Sequence, residues 1–134
     1  HALDNYDGLC KNIHGHNYHL EVTVSGIPVI DIASPKKGML IDFSDLKKII
    51  NRDIIEVLDH ALMLNQDTNP ELMALLKKSY ERVIMVPFQP TTENMLCYLA
   101  DTIKKILPEG VHLYSLKLKE TENSYAEWYA VDNE

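Results

Sequence analysis

Cysteine is scarce, with Cys10 and Cys97 the only two in 134 residues. That is too few for the disulfide framework of a small secreted domain, and the pair has no metal-type C-x-x-C spacing. A reducing, cytoplasmic setting is the expectation. Long apolar runs are missing as well. No stretch approaches the roughly 18 apolar residues that cross a bilayer, and no succession of positive, apolar and small residues opens the sequence given, which starts at His1. Basic charge is in deficit, 13 Lys and Arg against 20 Asp and Glu for a net charge of -7. Neither nucleic acid nor an anionic membrane is therefore expected as a partner. A polyanionic ligand would have to be held by local charges.

The composition is otherwise that of a folding chain, 46% hydrophobic and 25% charged, at a length suited to one core. Asn17 to Gly26 alternates, with Tyr18, Leu20, Val22 and Val24 on one side and His19, Glu21, Thr23 and Ser25 on the other. Period two predicts a half-buried strand. Gly26, Pro28, Pro35 and Gly38 punctuate a loop, and Met39 to Ile41 reads as a short second strand returning to the first. Ser44 offers an N-cap to a helix over 43–57 whose apolar face is Leu46, Ile49, Ile50, Ile54, Val57 and Leu58. A second helix is expected over Pro70–Ser79. Pro87 and Pro90 then bracket an extended break, and Thr91 or Thr92 caps a third helix that buries Met95, Leu96, Leu99, Ile103 and Ile106. Val111 to Glu120 and Tyr125 to Val131 read as two strands joined at Glu122, Asn123 and Ser124. Two strands, helices, then two strands argue for an α+β domain with an antiparallel sheet.

Six histidines are the compositional oddity. His14-Gly-His16 is the sharpest local signal: in extended chain, residues i and i+2 share a face, and two neutral imidazoles can reach one zinc ion. His1 is the candidate third ligand if the chain folds back, while His19 points the other way. The competing reading is a pair of hydrogen-bonding or surface histidines. Cys10, four residues before His14, could be a thiolate base or nucleophile, a fourth metal ligand, or a small buried hydrophobe. The last suits Cys97 better, on the apolar side of the third helix. Asp59-His60 could form a proton relay if a turn brings the side chains together, or His60 could simply face the helix dipole. Thr91, Thr92 and Glu93 fit a helix start. Glu120 lies on the face of Leu116 and Leu118, where a carboxylate needs a partner: a ligand with paired N–H donors, or a lysine.

Taken in order, His1, Cys10-Lys-Asn-Ile-His14-Gly-His16-Asn-Tyr, Asp42-Phe, Leu58-Asp59-His60, Pro90-Thr-Thr-Glu93-Asn94 and Lys119-Glu120-Thr121 resemble the 6-pyruvoyltetrahydropterin synthase and 6-carboxytetrahydropterin synthase family over nearly the whole chain. The resemblance implies a single domain over residues 1–134 with the tunnelling fold: a four-stranded antiparallel sheet, helices on one face, and a first strand lying before His1. It implies trimers pairing into a homohexamer. It implies zinc on His1, His14 and His16, catalysis by Cys10 with Asp59 and His60, often across a subunit boundary, and a pterin site made of Glu120, Thr91, Thr92 and Glu93. The implied substrate is 7,8-dihydroneopterin triphosphate.

The Cys-x3-His-x-His step resembles the bacterial carboxy enzymes of the queuosine route. His-Asn-Tyr and the Leu-Pro-x-Gly-Val segment at 107–111 lean towards the pyruvoyl enzymes. A rival of another class is a non-catalytic, zinc-stabilised pterin-binding module. Gln66 to Phe88 is longer than the usual family link and is expected to add a helix and an extended run. Lys77 and Lys78 in it, and Lys11, Lys36, Lys37, Lys117 and Lys119 elsewhere, are candidates for the triphosphate, none singled out.

Overall fold

In a computed structural model that describes residues 1–134, β1 (His19–Gly26), β4 (Val111–Lys119) and β5 (Tyr125–Tyr129) make an antiparallel sheet in the order β1-β4-β5. β1 half-buries alternate residues as its pattern predicts. β4 does so with one interruption. Val24 pairs with Leu113 and Thr23 with Ser115, so Tyr114 is an extra residue in β4. This bulge lets Leu113 and Leu116, three apart, both enter the core, at 6% and 1% exposure. It also brings the alternating set Leu116, Leu118 and Glu120 onto the face of Val111 and Leu113.

The helical stretch after the first loop starts at α1 (Phe43–Ile50), passes through a π turn (Asn51–Ile55) and ends in α2 (Glu56–Leu58). Its buried positions Leu46, Ile50 and Ile54 recur every four residues. The cap is Asp42, whose side chain accepts from the Ser44 amide at 2.8 Å; Ser44 itself lies inside the helix. The nearby Lys36 ammonium and the Ser44 donors hold the Asp42 carboxyl well below the usual carboxylate range.

α3 (Pro70–Ser79) forms as predicted, capped by Asn69 through the amides of Glu71 and Leu72. It connects β2 (Leu62–Asn65) and β3 (Val83–Val86), which pair in parallel. α3 and β3 are the helix and extended run expected of the inserted segment, and with β2, which lies just before it where no strand is expected, they make a β-α-β unit. α4 (Thr92–Ile106), capped by Thr91, lies on the sheet and buries Met95, Leu96, Leu99, Ala100 and Ile103. With the face of α1, Met63, Val86 and Trp128, these residues form one continuous apolar cluster.

Two expectations need correction. Met39 to Ile41 is not a strand, so the antiparallel sheet has three strands within the chain. Instead Val29 and the Gly38–Met39 segment bond to each other, Val29 N to Met39 O and Gly38 N to Val29 O at 2.8 Å, closing the loop on itself. Leu40 packs against Gly26, where a Cβ would collide with it and with the Gly110 carbonyl. Cys97 is exposed, because a 3.6-residue period turns it away from the Met95, Leu96, Leu99 stripe. Ile103→Ala should lower the unfolding free energy by about 2–5 kcal/mol. Cys97→Ser should change it by less than about 0.5 kcal/mol; urea unfolding of both variants checks the assignment.

Candidate metal centre and adjoining clefts

The alternation of β1 continues backwards past its first residue. His14, His16 and Tyr18 are all half-buried, while Gly15, Asn17 and His19 are exposed. A Cβ at Gly15 would touch nothing, so the glycine is not required there for space. His1 joins the two other imidazoles because the opening segment folds back as an extra backbone pairing: His1 N donates to the His14 carbonyl at 2.8 Å, and His14 N donates to His1 O at 3.0 Å. One ligating nitrogen from each of His1, His14 and His16 falls within 4.8 Å of the others.

The ring partners show which nitrogens are free. His14 Nδ1 lies 2.7 Å from the Asn12 carbonyl, which only accepts, so Nδ1 carries the proton and Nε2 offers a lone pair. His1 Nδ1 lies 2.8 Å from the Tyr18 hydroxyl. His1 Nε2 and His14 Nε2 face each other at 3.1 Å, close to the roughly 3.3 Å between two nitrogens on one tetrahedral zinc with Zn–N bonds near 2.0–2.1 Å. His16 Nε2 is 2.8 Å from Glu120 Oε1 but out of line for a hydrogen bond, so this buried nitrogen has no hydrogen-bond partner. A buried polar atom normally finds one. Three imidazoles, one with an orphaned nitrogen and the other two with a hydrogen-bond partner behind the ring, fit a zinc ion.

A cleft of about 350 Å³ opens beside this cluster, lined by His1, Cys10, Thr91, Thr92, Glu93 and Glu120 together with Leu3, Pro90 and Asn123 to Tyr125. Cys10 reaches it from a short 3-10 turn at Leu9–Lys11 that is tied to Leu3 through the Cys10 carbonyl. Cys10 is neither fully buried nor within the cluster of candidate ligands. Glu120, at the end of β4, accepts a hydrogen bond from Thr92 Oγ1 at the start of α4. No lysine pairs with it. The Glu120 carboxylate and burial both favour the protonated form of the Tyr18 phenol, burial more strongly, and push its pKa well above the ordinary value.

Asp59 and His60 sit apart from that cleft. The helical stretch stops at Leu58, and His60 adopts a left-handed backbone, φ 58°, which turns its ring so that Nδ1 lies 3.0 Å from Asp59 Oδ1. The pair therefore forms, at 65% and 87% side-chain exposure. Together with His16, Tyr18 and apolar residues from α4, it lines a second cleft of about 410 Å³.

Three residues at the site were not foreseen. Tyr18 was counted only as a core-facing strand residue. Gln89 ties the two walls of the first cleft together: its side chain accepts from Asp4 N at 3.0 Å and donates to Asp4 O at 2.7 Å, while its carbonyl accepts from Thr91 N and Asn94 Nδ2. Arg82 bonds the carbonyls at the end of α2. Gln89 and Arg82 act on residues 85 and 23 to 26 positions away, beyond any local pattern. Of the candidate lysines, Lys36 is engaged by Asp42 at 2.6 Å and Lys117 by Glu127 at 3.8 Å.

Because a side chain at positive φ is disfavoured, His60→Gly should hold or raise stability by up to about 1 kcal/mol. Urea unfolding that shows a large loss instead would mean that the ring itself supports the fold.

The chain is similar to known proteins over most of its length. The family model described as 6-pyruvoyl tetrahydropterin synthase matches residues 1–130. A 6-carboxy-5,6,7,8-tetrahydropterin synthase of Haemophilus influenzae is 37% identical over 132 residues, 96% of this chain and 89% of its own. A 6-pyruvoyl tetrahydrobiopterin synthase of Pongo abelii is 39% identical over 119 residues, 87% of this chain and 68% of its own. Among solved structures, an uncharacterized protein of Wolinella succinogenes superposes with a TM-score of 0.71 at 25% identity, over 90% of this chain and 81% of that one. The 6-pyruvoyltetrahydropterin synthase of Plasmodium vivax shares the fold, with a TM-score of 0.63 at 18% identity over 92% and 84%. The α+β tunnelling fold, the histidine cluster and a family match running from His1 into the last residues lead to one conclusion: the chain belongs to the 6-pyruvoyl tetrahydropterin synthase family.

Proposed function

We propose that the protein is a zinc-dependent lyase that converts 7,8-dihydroneopterin triphosphate to 6-carboxy-5,6,7,8-tetrahydropterin, releasing acetaldehyde and triphosphate. The observation that carries this reading is the convergence of three imidazoles, one with an orphaned nitrogen, beside a cleft that also holds Cys10, Thr92 and Glu120. Zinc bound there supplies Lewis acidity toward the side-chain hydroxyls of the pterin.

The chain's own groups do the rest. Glu120, held by Thr92, accepts from the 2-amino group and ring N–H of the pterin, a bidentate match for a carboxylate. Thr91 and Glu93 line the same pocket. Cys10, in the same cleft, removes the carbon-bound proton as thiolate, and His60, oriented by Asp59, returns or relays one. The exposure of the Asp59–His60 pair suits service to a neighbouring subunit. So do the apolar residues left in water, Leu9, Ile27, Ile30, Ile32 and Phe43, each above 80% exposed, which favour a homohexamer built as a dimer of trimers. The carboxy product is preferred over the pyruvoyl one by the Cys-x3-His-x-His step, and the Haemophilus relative aligns over more of both chains.

Incubation with 7,8-dihydroneopterin triphosphate should yield, by mass spectrometry, the 6-carboxy product. The pyruvoyl mass would reassign the product, and intact triphosphate would overturn the enzyme reading. Cys10→Ala should retain zinc while turnover falls about 10²- to 10⁴-fold. Loss of zinc with the thiol would make Cys10 a ligand and the site a closed one. In solution the mass should be that of six chains; a stable monomer would remove the shared-site reading.

A further inference from the structure

The turn that carries Asp59 and His60 is clasped at both ends by a single residue, Arg82. Its Nε donates to the Asp59 carbonyl at 3.0 Å, and its Nη2 donates to the carbonyls of Glu56 at 2.5 Å and Val57 at 3.2 Å. These carbonyls close a helix, where they have no intrahelical partner and form the negative end of its dipole. On the far side of the turn the Arg82 carbonyl accepts from Leu62 N at 2.8 Å. Between the two anchor points run Leu58 to Ala61, with Ala61 N bonded back to Leu58 O at 3.0 Å.

His60 depends on that backbone for its direction. Its ring is 87% exposed, so no packing fixes it, and its contact with Asp59 exists only because the turn holds φ at 58°. The Arg82 guanidinium is a rigid planar fork that can reach several carbonyls at once, which a lysine ammonium on a flexible stem does not reproduce. Arg82 is also delivered there by the fold. β3 begins at the next residue and runs parallel to β2, whose first residue, Leu62, lies two positions after His60 and pairs with Val83. α3 is the crossover that brings the chain back to that end.

We propose that Arg82 is a positioning residue for the Asp59–His60 pair, and that the β2–α3–β3 unit serves to deliver it. This rests on the proton-transfer role given to the pair above. Arg82 lines neither cleft, so its effect should pass through the backbone that carries Asp59 and His60.

The test compares Arg82→Ala, Arg82→Lys, His60→Ala and the double variant Arg82→Ala/His60→Ala on the zinc-loaded full chain. With dihydroneopterin triphosphate as substrate, Arg82→Ala should lower kcat about 10- to 100-fold with little change in KM. Zinc content and melting temperature should be nearly kept, and Arg82→Lys should recover part of the rate. In the His60→Ala background the arginine change should cost nothing more, because the two act as one unit. Hydrogen exchange supplies a readout independent of turnover: the Ala61 and Leu62 amides should exchange faster in Arg82→Ala while those of α4 do not.

Unchanged exchange at the turn, or multiplicative losses in the double variant, would overturn the proposal. So would an unchanged kcat in Arg82→Ala where His60→Ala is impaired. If His60→Ala itself leaves turnover intact, it is the role of the pair that fails, and the Arg82 proposal with it; the exchange data then show whether the clasp exists as a structural one.

Discussion

Everything at the candidate centre depends on the two-residue alternation of one extended segment. Between His14 and Val24 every second side chain turns to the same face. In β1 that face is apolar and packs on the core; in the residues just before it the same geometry presents imidazoles. The histidines are therefore aimed by the packing of Leu20, Val22 and Val24 several residues away. A one-residue slip of β1 against β4 would send Leu20, Val22 and Val24 into water and His14 and His16 to the far side of the sheet. The bulge at Tyr114 enforces the same discipline on β4, since without it Leu113 and Leu116 could not both be buried and Glu120 would not lie on the face of Leu113.

This constraint couples stability to chemistry. Burial of β4 and α4 brings Glu120 and Thr92 together from residues 28 positions apart, so the carboxylate reaches its hydroxyl partner only when the core is formed. The cost of placing a carboxylate near apolar side chains is offset by that hydroxyl. The helix ends are handled differently. Asp42, Asn69 and Thr91 cap their own helices at the N-terminal side, whereas the C-terminal end at Leu58 has its carbonyls satisfied by an arginine from another element. That end is also where the exposed Asp59–His60 pair emerges.

Much of this was legible in the residues. The boundaries of α3 were read directly, and those of α4 and β4 to within about a residue, because proline, glycine and capping residues mark them and the apolar period is strong. β3 was legible only as an extended run and β2 not at all, since segments of four residues carry too little periodicity to separate a buried strand from a short helical or extended piece. Met39 to Ile41 failed for the converse reason: an apolar triplet needs a partner strand, and here the loop bonds to itself. Cys97 was misplaced by a single step around the helix.

The sequence by itself determined the donor types and the face they occupy: two histidines at i and i+2 on the strand's inward side, a lone cysteine nearby, and a carboxylate at the end of an apolar strand. Those follow from local backbone geometry, which period and spacing encode. Only the tertiary structure decided that His1 folds back to complete the trio, that His16 keeps an unpartnered nitrogen, and that Gln89 and Arg82 tie together segments far apart in the chain. Such contacts arise from the burial of a shared core, and no pattern within a window of a few residues contains them.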